Sequence, residues 1–130
     1  MRKETLVRIV VQTIPVLLGI VLTYLFWRNS FLLTLIYLAA IAIILRIKYY
    51  SGDLFALLYG FLLGILVEVI GTSVSGYQSF TNPDFLGIPL WLPIVWAYGL
   101  MAMKRIGIII HEGYASARPV AAASAAKRRS

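Results

Sequence analysis

Four apolar runs, separated by short polar or charged breaks, set the pattern of this chain: Ile9–Trp27, Phe31–Leu45, Leu54–Ile70 and Phe85–Met103. A helix rises 1.5 Å per residue, so about 20 apolar residues cross the hydrocarbon of a bilayer. With flanking residues the spans fall at about 8–27, 31–46, 54–71 and 85–103. The pattern predicts an all-α polytopic membrane protein, four transmembrane helices in an up-down bundle. One domain, 1–114, holds the helices. Residues 115–130 are rich in Ala, Ser and Arg with nothing to bury, and read as a basic, flexible cytoplasmic tail.

The breaks carry turn chemistry. Arg28, Asn29 and Ser30 make a minimal turn, so the first two helices are antiparallel neighbours. Ser51, Gly52 and Asp53 end the second run, with Asp53 placed to cap the third helix. Asn82-Pro83-Asp84 is a turn signal ahead of the fourth. The basic start imitates a secretory signal. Its apolar run exceeds a signal core and lacks a small-residue cleavage site, so it is expected to stay as an anchor. Pro15 lies inside that run, where a membrane helix tolerates it if neighbours satisfy the freed carbonyl.

Composition sharpens the membrane reading. Hydrophobic residues make up 61% of the chain and charged residues 13%, about half the charge of a soluble domain. There is no cysteine and only one histidine, His111, so disulfides, thiolate chemistry and a His cluster for a metal are excluded. No cofactor is implied. The net charge of +7 lies at the ends of apolar runs and in the tail rather than on a folded basic face, which argues against a nucleic-acid partner. In a four-span topology every Lys and Arg except Arg28 falls on one side. The positive-inside rule then puts both termini in the cytoplasm and the protein in the cytoplasmic (inner) membrane.

Candidate chemistry concentrates in the second half. Gly60, Gly64 and Glu68 are spaced by four and share one helix face. A small-xxx-small pair lets another backbone approach closely, so this face is a packing seam and Glu68 points at protein rather than lipid. Intramembrane acids are costly and mark proton or cation chemistry. The plainer alternative is a carboxylate hydrogen-bonded to loop amides or Thr72, about one turn from the helix end, holding the hairpin together. The following loop and helix start supply Tyr77, Gln78, Asp84 and Trp91 as binding candidates, with Trp91 and Tyr77 also suited to anchoring at the interface. Pro89 and Pro93 are expected to break helix four and free carbonyls beside the acid; alternatively Pro89 occupies the first turn and only Pro93 kinks. Trp96 reads as core. His111-Glu112 lacks a second His at helical spacing and reads as a solvated pair rather than a metal site.

The elements Glu68-Val69-Ile70-Gly71-Thr72, Gly76-Tyr77, Leu86-Gly87-Ile88-Pro89 and Trp96 resemble a stretch of the integral-membrane carotenoid-biosynthesis proteins that include carotenoid hydratases. The similarity covers residues 68–96. It implies an isoprenoid-type ligand, and the acid it nominates is Glu68.

Three functions follow as expectations. The first is an accessory or assembly subunit of a larger membrane complex, packing through the Gly60/Gly64/Glu68 face against other membrane subunits or a second copy. The second is a membrane enzyme or binding protein for an isoprenoid or carotenoid-type lipid, with Glu68 as acid or base. The third is a small proton-coupled transporter. Absence of a Gly-x-Ser-x-Gly elbow or Ser/His/Asp set favours the subunit. Membrane lipids are the partners common to all three.

Overall fold

The computed structural model describes residues 3–115; the proposed tail lies almost wholly outside them. Helix α1 runs Lys3–Phe26, α2 Ser30–Ile47, α3 Asp53–Val69 and α4 Trp91–Ala115. A π-helical turn, Ile70–Val74, prolongs α3. All four helices are long and apolar enough to cross a membrane.

Local chemistry explains most helix ends. The Asn29 side chain accepts the Leu32 amide at 3.0 Å and caps α2. The expected cap on α3 is one residue off. Gly52 is the N-cap, in a left-handed conformation at φ 80°, and Asp53 is the first helical residue. The Asp53 carboxylate is then free to turn back and accept the Tyr50 amide at 2.9 Å. At its other end α3 stops at Val69, and the π turn carries the helical run to Val74, past the expected 71. Thr72 Oγ1 donates to the Glu68 carbonyl at 2.8 Å, the kind of side-chain competition that loosens a helical ladder. The chain widens there into a π turn, closed by Ser75 N–H to the Ile70 carbonyl at 2.8 Å.

The fourth span is displaced most, from 85–103 to Trp91–Ala115. Residues 82–90 fold as a loop instead. Phe85 and Ile88 pair as an isolated antiparallel bridge across Leu86 and Gly87, both at positive φ. Pro89 precedes the helix and Pro93 sits in its first turn, where an N–H has no partner within the helix anyway. Neither proline therefore breaks α4. At the far end α4 continues ten residues past Arg105.

Helix α4 is the axis on which the others pack. Contacts fix the sense of each neighbour: α3 runs antiparallel to it, with Asp53 beside Arg105 and Glu68 beside Trp96. Helix α1 does likewise, with Thr5 against Gly113 and Gly19 against Tyr98. The core holds Leu33, Tyr37, Ala56, Tyr98 and Met101, and the Tyr37 and Tyr98 rings meet edge to face at 5.7 Å. Tyr37 donates to the Gly19 carbonyl and bonds Thr23 Oγ1, both at 2.7 Å. That pins α2 to α1 through polar groups, which matters where lipid and side chains are equally apolar.

The glycine seam is filled from within the chain. A methyl group on Gly60 would lie 2.8 Å from the Ala97 Cα and the Trp96 carbonyl. One on Gly64 would lie 2.6 Å from Trp96 Cβ and Cγ. The seam exists, but α4 occupies it, so it is not a surface for another subunit.

Candidate functional site

The seam ends at Glu68, which is 8% exposed. Fifteen residues separate it from Asp53, roughly 22 Å along the helix, so the acid lies within the ~30 Å of hydrocarbon if Asp53 marks one edge. It sits six residues before the end of the π turn, deeper than one turn from the helix end. A bare carboxyl group at this depth is costly unless hydrogen-bonded. Both oxygens are engaged. Trp96 Nε1 donates to Oε1 at 2.8 Å, and Gln78 Nε2 donates to Oε2.

Gln78 reaches the acid because the loop doubles back over Gly71. A side chain there would collide with Gln78 Nε2 at 2.7 Å and Tyr77 Cζ at 2.8 Å. Trp96 reaches it because Gly64, one turn below, lets the Trp96 side chain pack directly against α3. The acid thus ties together α3, the loop and α4. Thr72 bonds the Glu68 backbone carbonyl rather than its carboxylate.

A second polar group closes the same end. Asp84 Oδ2 accepts the Leu90 amide at 2.9 Å and the Ser30 hydroxyl, joining the start of α2 to the start of α4. Ser73 Oγ donates to the Leu86 carbonyl at 3.1 Å. Of the expected binding residues, Gln78, Thr72 and Tyr77 gather around Glu68 and Gly71. Asp84 belongs to the separate Ser30 clasp, and the Tyr77 side chain is largely exposed. Trp91 is half-buried, and its Nε1 is covered without a hydrogen-bond partner. Trp96, expected as plain core, is instead a ligand of the acid.

The opposite end holds a cluster absent from the sequence-based candidates. Asp53 is 0% and Arg105 3% exposed. Arg105 Nη2 lies 2.6 Å and Nε 3.2 Å from Asp53 Oδ2, a fork-like charge-assisted pairing. Nη2 also donates to the Lys48 carbonyl at 2.7 Å, and Lys104 Nζ lies 3.0 Å from Asp53 Oδ1. The Tyr50 ring lies beneath two cations, Lys48 at 4.8 Å and Arg105 at 5.1 Å. In the sequence Asp53 reads as a cap for α3 and Arg105 as a charge that ends the fourth apolar run. Their separation by 52 positions hid the pairing.

Further along, Arg8 and Glu112 form an exposed ion pair at 2.9 Å. His111 and Glu112 are both exposed. Among the described residues no three His, Asp or Glu side chains converge as a metal site. Compared with protein-family profiles, curated proteins and solved structures, the chain matches none of them.

Proposed function

We propose that this chain is a multi-pass protein of the cytoplasmic (inner) membrane, an up-down bundle with both termini in the cytoplasm, serving as an accessory or structural subunit of a larger membrane complex. One observation carries this reading: the three acids at the level of the bundle are all spent on joining elements. Glu68 binds Trp96 and Gln78, Asp53 binds Arg105, Lys104 and the Tyr50 amide, and Asp84 binds Ser30 and the Leu90 amide. A general acid or base needs an approach to the reacting proton; Glu68 and Asp53 are buried against their donors, and the exposed Asp84 has its Oδ2 committed to Ser30 and Leu90. The orientation rests on charge, since Arg8, Arg46, Lys48, Lys104 and Arg105 share one end while Arg28 stands at the other.

Because α4 fills the glycine seam, the partner's surface is α1, where only Thr5 and Gly19 are buried in 24 residues. The test is native purification in mild detergent, with a photo-crosslinking residue at Leu18. A stoichiometric larger membrane protein, cross-linked through Leu18, is expected. A chain that purifies intact and alone, with cross-links to lipid only, overturns the proposal.

A further inference from the structure

A pocket of about 240 Å³ with a mixed lining opens between the N-terminal half of α1, the α2–α3 turn and α4, where Arg8, Gln12, Lys48 and Tyr50 meet Val7, Val11 and Ile109. It lies at the end of the bundle where the buried Asp53–Arg105 pair sits, the level at which hydrocarbon gives way to headgroups. We infer that this pocket binds the phosphate of an anionic glycerophospholipid from the leaflet on that side.

Three features carry the inference. The first is unbalanced charge: among the described residues at this end, Lys3, Arg8, Arg46, Lys48, Lys104 and Arg105 face only Glu4, Asp53 and Glu112. Asp53 is consumed by Arg105 and Lys104, and Glu112 by Arg8. Among the described residues the Lys48 ammonium rests on the Tyr50 ring, 4.8 Å from its centroid. It is a cation lining the pocket with no anion among the described residues, and basic pockets between membrane helices suit lipid phosphates.

The second is a prearranged wall. Tyr50 is held by its backbone N–H, which donates to Asp53 Oδ2 at 2.9 Å, and by the Arg105 guanidinium over its ring. The buried ion pair therefore fixes the platform under Lys48. Arg8 has guanidinium donors beyond the single nitrogen that meets Glu112, and Gln12 adds an amide. The third is the mixed lining: the cations, amide and phenol of Arg8, Lys48, Gln12 and Tyr50 beside the apolar Val7, Val11 and Ile109 suit a phosphate joined to a glycerol and its chains.

The test uses the full chain in phosphatidylcholine nanodiscs doped with phosphatidylglycerol, followed by mass spectrometry of the phospholipid retained after extraction. Phosphatidylglycerol should be enriched over phosphatidylcholine. Lys48→Gln should lower its retention about fivefold, and Lys48→Arg should restore it. Lys48 is exposed and bonds Arg105 only through its backbone carbonyl, so the substitution leaves the fold intact. Lys3→Gln removes the same charge outside the pocket and should change nothing. Equal retention of the two lipids overturns the inference. So does an equal loss in Lys3→Gln, which would mean diffuse surface charge, or displacement of the lipid by inorganic phosphate, which would mean a site for a free anion.

Discussion

Trp96 donates its indole N–H to Glu68 Oε1 at 2.8 Å across the α3–α4 seam, whereas Trp91, five positions earlier on α4, buries the same group without an acceptor. Two tryptophans on one helix thus stand on opposite sides of the hydrogen-bond ledger. Hydrogen bonds to a carboxylate contribute about 1.5–3 kcal/mol, and an unsatisfied buried donor costs about 1–3 kcal/mol. Trp96→Phe should lower stability by about 2 kcal/mol, while Trp91→Phe should be neutral or stabilising. Equilibrium unfolding of both variants in mild detergent checks the contrast.

The acid itself distinguishes a structural from a chemical role. In Glu68→Gln the carbonyl oxygen still accepts from Trp96, and the Gln78 amide can turn over to present its own oxygen to the new NH₂. That variant should lose under about 1 kcal/mol. Glu68→Leu leaves both donors stranded and should lose several times more. A Gln variant that unfolds like the Leu variant would show that charge, not hydrogen-bond capacity, holds the loop.

At the other end, removing one member of a buried ion pair leaves the other uncompensated, a loss of about 3–5 kcal/mol. Arg105→Met should therefore be among the most damaging single changes in the chain, and the α2–α3 turn should become sensitive to protease. Lys104→Met, by contrast, removes a partly exposed cation and leaves Asp53 paired with Arg105. It should cost about 1 kcal/mol or less.

The seam predicts an asymmetry between its glycines. At Gly60 a methyl group meets α4 backbone, the Ala97 Cα and Trp96 carbonyl at 2.8 Å. At Gly64 it meets the Trp96 side chain at 2.6 Å. Overpacking costs about 1–3 kcal/mol. Gly64→Ala should displace the indole and weaken its bond to Glu68, visible as a shift in Trp96 fluorescence. Gly60→Ala should separate the helices, visible as slower disulfide formation between cysteines introduced at Ala56 and Met101.

Leu86 adopts φ 48° without being glycine, and it is more than half exposed. An L-residue in this region is disfavoured by about 1–2 kcal/mol, and little burial is lost on replacing it. Leu86→Gly should therefore raise the thermal unfolding midpoint. A fall would mean that its side chain has a partner in the membrane.

Hydropathy and turn chemistry alone determined the four helices, the Asn29 turn, the close-packing spacing of Gly60 and Gly64, and the inward direction of Glu68. These are properties of residues a few positions apart, so periodicity and local sterics suffice to read them. Tertiary structure decided the rest. It showed α4, not a foreign helix, in the glycine seam. It moved the start of α4 from 85 to 91, because the clasp of Asp84 on Ser30 and Leu90 stabilises a loop that apolar composition mistakes for helix. It also paired Asp53 with Arg105 and Glu68 with Gln78 and Trp96. Those partners lie 52, 10 and 28 positions apart, and a carboxylate's energy depends on which donors packing brings within 3 Å, a quantity no local pattern encodes.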